Sequence, residues 1–135
     1  MKNNILIIGF GDLAMRLESF LLEKDNSILG LTRSPEKYEG SNVLYWDWNL
    51  KTEFELSDNN FDVIIFFPKP CEYDDSGYQA GFINSLELIK KSLEKIEFKS
   101  FIAISSTRVY GSSQYGELSE ANKPEPSDFR GRIVF

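Results

Sequence analysis

The chain has 135 residues, 41% of them hydrophobic and 14% aromatic, and its 21 acidic side chains against 15 basic ones give a formal net charge of −6. One domain of this length, residues 1–135, holds enough apolar material for a core, which excludes a wholly disordered chain. The acidic balance excludes nucleic acid or an anionic membrane surface as the main partner, because either would repel the protein, although a local basic pocket is still allowed. There is no histidine and one cysteine, so the usual zinc sites, Ser-His and Cys-His dyads and an internal disulfide are excluded as well. That cysteine, Cys71, lies between Pro70 and Glu72 and is given no role. The opening residues carry a single positive charge and run straight into a glycine turn, unlike a secretion signal, and no apolar run approaches the roughly 20 residues of a membrane span. A cytoplasmic protein is expected.

Asn4 to Ile8 is a short apolar run ending on a glycine, the pattern of a strand buried on both faces of a parallel sheet. From Asp12 to Lys24, Leu13, Leu17, Phe20 and Leu21 recur at three- and four-residue spacing, which predicts an amphipathic helix packed on the sheet by that face. Ser27 to Thr32 and Asn42 to Trp46 read as the second and third strands, with the polar loop Arg33 to Ser41 between them. The polar stretch Lys51 to Asn60 predicts only a turn or short helix. Phe61 to Phe67 is an almost unbroken apolar fourth strand, stopped by Pro68 and Pro70.

A second long helix is predicted from about Tyr78 to Ile96, with Phe82, Leu86, Ile89, Leu93 and Ile96 on one face and Glu87, Lys90, Lys91 and Glu94 on the other. Ser100 to Ile104 follows as a fifth strand. Ser112 to Ser127 is rich in Ser, Gly, Glu and Pro and reads as a long loop, after which Asp128 has the character of a helix N-cap. Strands alternating with helices predict an α/β, doubly wound parallel sheet, since parallel neighbours need crossover connections.

Gly9-Phe10-Gly11-Asp12-Leu13-Ala14 fits the pattern G-x-G-x-x-[G/A] between the first strand and the first helix. In that context the first glycine permits a tight turn, the second lets backbone approach a pyrophosphate, and the small third residue lets the helix pack closely. The N–H groups and positive dipole end of a helix starting near Asp12 and Leu13 would meet the phosphates. A Rossmann-type dinucleotide site is the reading, and a glycine turn that merely packs is the alternative. About 20 residues on, where an acid would accept from the ribose of NAD, the sequence has Thr32-Arg33. A guanidinium suits a 2′-phosphate, so NADP is expected ahead of NAD. Arg33 as a solvated loop residue or an adenine-stacking one stays open. Asp47, between Trp46 and Trp48, is placed either at the adenine edge or as a cap of the following turn. Phe67, at the end of the fourth strand, is also placed against the cofactor.

The fifth strand runs into Ser105-Ser106-Thr107-Arg108-Val109-Tyr110-Gly111. With the glycine turn, this segment resembles the extended and atypical short-chain dehydrogenase/reductase superfamily, the NAD-dependent epimerase/dehydratase group, over nearly the whole chain. The resemblance implies that Ser106 is the catalytic hydroxyl bonded to the substrate oxygen, that Ser105 lines the cofactor cleft, and that the substrate is a nucleotide sugar or a similar polar molecule. The family's acid–base Tyr-x-x-x-Lys pair does not occur here: Arg130 and Val134 fall at the corresponding positions. The family also continues into a substrate-binding part. The chain is therefore expected to be the N-terminal portion of a longer protein, with a natural truncation needing a partner as the alternative. Two functions are carried forward, an NAD(P)-dependent enzyme domain and a non-catalytic NAD(P)-binding or sensory module, with a homodimer left open.

Overall fold

A computed structural model describes residues 2–69 and 74–104. Five strands form one parallel sheet in the order β3-β2-β1-β4-β5: β1 Asn4–Ile8, β2 Ser27–Thr32, β3 Val43–Tyr45, β4 Asn60–Phe66 and β5 Glu97–Ala103. The chain steps outward from β1 to β3 on one side, then returns to lay β4 and β5 on the other. The carboxyl ends of β1 and β4 thus flank the point where strand order reverses, the place where such sheets bind ligands.

The apolar run of β1 is explained by coverage on both faces, for Ile5, Leu6, Ile7 and Ile8 are all buried. Ile5 and Ile7 pack with Phe10, Ala14, Ile28 and Ile65 under helix α1, Asp12–Leu22. Leu6 and Ile8 pack with Leu31, Ile64, Phe66, Ile89 and both tryptophans on the opposite face. That second layer is a helical stretch made of α2, Asp75–Gln79, a π turn, Ala80–Asn84, and α3, Ser85–Ser92.

The helix expected from Tyr78 starts three residues earlier because Asp74 caps it, its carboxylate accepting from the Gly77 N–H at 2.8 Å. Its predicted apolar face is the one that packs: Ile89 and Leu93 are buried, and Leu86 and Ile96 lie against them. The first helix departs from expectation. Ala14, Leu17 and Leu21 meet the sheet, whereas Leu13 and Phe20 are 60% and 68% exposed. Residues 13 and 20 lie about 100° or more around the helix from Ala14, and the small Ala14 side chain draws its own face closest to the sheet.

β5 begins at Glu97, three residues ahead of the predicted start, and nearly all its side chains are exposed. An edge strand tolerates the charges at 97 and 99 that break its apolar pattern. The stretch 51–59 has no helix among the described residues. The short 3-10 turn lies just before it, at Trp48–Leu50. Ser92 anchors this stretch, accepting from the Phe54 N–H at 3.1 Å and donating to the Leu88 carbonyl at 2.8 Å. No helix among the described residues is long and apolar enough to cross a membrane.

At the amino ends of the strands, Asp62 of β4 joins both neighbours. One carboxylate oxygen accepts the Asn4 N–H at 2.7 Å and the other faces Lys99 Nζ at 3.1 Å. The Asn4 N–H, and after it Lys99, hold this carboxyl below its ordinary value of 3.8. A lowered carboxyl pKa contributes stability that is present above the ordinary value and lost as pH falls through the lowered one. Asp62→Asn is accordingly expected to unfold at a lower temperature than the parent at about pH 7, with the gap closing below about pH 3.8, as thermal melts across that range will register.

Candidate functional site

The glycine turn is built on the ends of the two strands beside β1. The Leu31 carbonyl accepts from two successive N–H groups, Gly9 at 3.0 Å and Phe10 at 2.8 Å, while the Phe67 N–H donates to the Ile8 carbonyl at 2.9 Å. Gly9 has φ +83°, and a Cβ there would stand 2.5 Å from the Phe67 carbonyl oxygen, so both conformation and space demand glycine. Phe10 is buried with its ring over Gly30 of β2, where a Cβ would come within 2.7 Å of the ring. A large residue inside the glycine turn is therefore matched by a missing side chain on the next strand.

Gly11 differs. Its φ of −132° lies in the extended region open to any residue, and a Cβ would approach only the Tyr38 hydroxyl, at 3.9 Å. The protein's own packing does not require glycine there; the omitted side chain leaves room in front of the N-terminus of α1. That N-terminus has no side-chain cap. The first-turn N–H groups of Asp12, Leu13 and Ala14, which an α-helix cannot bond internally, are left to an external acceptor.

A cleft of about 110 Å³ opens at this turn, lined by Gly9, Gly11, Thr32, Arg33 and Phe67 among the expected residues. Arg33, Lys37 and Lys69 give it three cations, and among the described residues no acid forms part of its wall, although Asp12 stands at its mouth, bonded to the lining Tyr38. In a chain of net charge −6 this is a local reversal of sign, suited to an anion. Larger clefts of about 380 and 410 Å³ lie beside Trp48 and beside the end of α3, but the first sets Glu87 and the second three glutamates among their lysines, and neither lies at the start of α1.

The remaining expected residues divide. Ala14 is buried beneath the turn and closes the helix onto the sheet. Asp12 and Leu13 are exposed on the first turn. Thr32 is buried at the end of β2, where its hydroxyl accepts from the Ser34 N–H at 3.1 Å and shapes the turn that carries Arg33. Asp47 caps the Trp48–Leu50 turn, accepting from the Asn49 N–H at 2.9 Å, and lines a neighbouring cleft. Its flanking tryptophans reach the glycine-turn cleft instead, although both are largely buried. The Trp46 indole donates to the Thr52 carbonyl at 2.8 Å, whereas the buried Trp48 indole nitrogen has no partner among the described residues. Ser105 and Ser106, with Cys71, lie outside the described residues.

Sequence reasoning missed Tyr38, Lys37 and Lys69. Lys69 lies three residues after β4 ends at Phe66, past Phe67 and Pro68, and was available as a cation at the end of a central strand. Tyr38 is half-buried, packs edge-on against Phe10 with ring centroids 5.3 Å apart, and donates its hydroxyl to Asp12 at 3.2 Å. Burial first, and the Asp12 carboxylate second, push its hydroxyl above the ordinary value of 10. No local pattern in a polar loop marks such a contact.

No family model matches the sequence, and no curated relative is found. Solved structures do match in fold. A protein from Methylobacillus flagellatus assigned as an NAD-dependent epimerase/dehydratase is 25% identical with a TM-score of 0.70, over 98% of this chain and 47% of its own. A UDP-glucuronic acid 4-epimerase from Bacillus cereus, in complex with NAD, is 20% identical with a TM-score of 0.66, over 97% and 48%. A short-chain dehydrogenase/reductase superfamily protein from Agrobacterium tumefaciens, with bound NAD, is 12% identical with a TM-score of 0.75, over 97% and 42%. The chain has the Rossmann-type α/β fold of these proteins and spans less than half the length of each.

The geometry at Gly9 makes a direct prediction. Gly9→Ala forces a side chain into a left-handed backbone and against the Phe67 carbonyl, and is expected to cost about 2 kcal/mol or more in chemical denaturation.

Proposed function

We propose that this chain is the NAD(P)-binding domain of an epimerase-, dehydratase- or reductase-like protein acting on a nucleotide sugar or a similar polar substrate. The observation that carries this reading is the cradle at Gly11: open space that the fold does not need, in front of an uncapped eleven-residue helix, within a cleft lined by three cations. A diphosphate matches those features together, taking hydrogen bonds from the helix N–H groups and charge from the side chains. Solved proteins of this fold hold NAD, one of them with UDP-glucose as well, which supports both the ligand and the substrate class.

In this reading the diphosphate rests on Gly11 and the first-turn N–H groups of Asp12, Leu13 and Ala14. Gly9 and Phe67 form the floor, and Thr32 and Arg33 meet the adenosine ribose. Arg33 selects NADP by pairing with a 2′-phosphate. Asp47, whose second carboxylate oxygen is not used in capping, is the candidate contact to adenine. When bound, the nicotinamide supplies hydride transfer. Ser105 and Ser106 follow β5, and in this reading they bring hydroxyls beside it, with Ser106 bonded to the substrate oxygen. A cytoplasmic setting goes with this assignment.

A second reading rests on one sequence observation: no tyrosine in the chain is followed four residues later by lysine. A serine hydroxyl orients and stabilises an oxyanion but does not carry proton transfer unaided at neutral pH. On this reading the domain binds NAD(P) as a structural or sensory ligand.

Titration of the chain with NADPH and NADH tests the shared premise, and no saturable binding of either at about millimolar concentration would overturn it. Gly11→Ala is expected to melt with the parent protein yet bind NADPH at least about tenfold more weakly. Arg33→Ala is expected to weaken NADPH by about tenfold or more, the loss of a charge-assisted hydrogen bond, while NADH affinity stays within about threefold.

A further inference from the structure

We propose that Tyr38 is a positioning residue that draws the Asp12 carboxylate away from the N-terminus of α1, leaving the helix N–H groups to the diphosphate of the dinucleotide. This inference rests on the binding reading above. Asp12 is the acid in the first turn of α1, beside a helix start with no side-chain cap. A carboxylate there is attracted by the same N–H groups and dipole end that would hold a phosphate, so it competes with an anionic ligand. Asp12 instead accepts from the Tyr38 hydroxyl at 3.2 Å.

The donor is held in place by packing. The Tyr38 ring stands edge-on to Phe10, at 5.3 Å between centroids and 78° between planes, and Phe10 is itself buried over Gly30. The hydroxyl thus reaches Asp12 from the loop that follows β2, and the nearest atom to a Cβ built on Gly11 is that same hydroxyl oxygen, at 3.9 Å. Tyr38 closes one side of the cradle and restrains the acid at its mouth, Asp12. A tyrosine hydroxyl is a donor throughout the neutral range, and burial and Asp12 push that of Tyr38 further above its ordinary value.

The test is a double-mutant cycle on the whole chain, with NADPH as the probe in calorimetric titration and with thermal melts alongside. Tyr38→Phe keeps the ring and removes the donor, and is expected to weaken NADPH by about tenfold. Asp12→Asn removes the competing charge and is expected to tighten it. The double variant is expected to return to within about threefold of the parent, a rescue that loss of ring packing alone would not produce. Parent-like binding by Tyr38→Phe, failure of Asp12→Asn to rescue it, or weaker binding by Asp12→Asn alone would each overturn the inference while the dinucleotide reading stands. Absence of NADPH and NADH binding by the parent chain would overturn that reading and this inference together.

Discussion

Two N–H groups share one carbonyl at the centre of this molecule. Gly9 and Phe10 both donate to Leu31, and that double acceptance bends the chain out of β1 and aims it into α1. The bend places Gly9 so near the Phe67 carbonyl that no side chain fits. It also drives Phe10 into the sheet, where the ring needs the bare backbone of Gly30. The positions of β2, β4 and α1 around the cleft are thus tied to one turn, and Gly11 is left facing outward with only the Tyr38 hydroxyl near it among the described residues.

Charge is distributed to match. The carboxyl end of the sheet gathers Arg33, Lys37 and Lys69 at the glycine turn, against the overall sign of the chain. At the amino end, the opposite end of the sheet from the glycine turn, Asp62 binds the Asn4 N–H and Lys99, holding β1, β4 and β5 together. Asp12 is the exception at the cleft, an acid where anion binding calls for none, and its hydrogen bond to Tyr38 is what reconciles it with its surroundings. These interactions perform different tasks: the Asp62 cluster stabilises the sheet, whereas Tyr38 and Asp12 bear on how open the helix N-terminus is.

The fold was largely legible from the chain alone. Alternation of apolar runs with helical periodicity located all five strands and both helical stretches, because burial on both faces of a parallel sheet leaves a continuous apolar signature. Errors arose where the signature depends on context. Glu97 and Lys99 hid the first half of β5, since an edge strand need not be apolar. Leu13 and Phe20 appeared to belong to the buried stripe of α1, yet spacing alone cannot tell which of two adjacent helix faces a small residue such as Ala14 will bring against the sheet.

For the candidate site, the sequence by itself determined the local elements: a glycine turn between strand and helix, with Thr32 and Arg33 one strand further on. Those features depend on residues near one another in the chain, where backbone conformation and spacing leave a readable trace. Tertiary structure alone decided that Gly11 is free while Gly9 and Gly30 are constrained, that Lys37 and Lys69 converge with Arg33, and that Asp47 spends a carboxylate oxygen on its own turn. It alone also decided that Tyr38 reaches back across 26 residues to Asp12. Contacts of that kind arise from how β1, β2 and β4 are laid side by side, and no periodicity along a single segment encodes them.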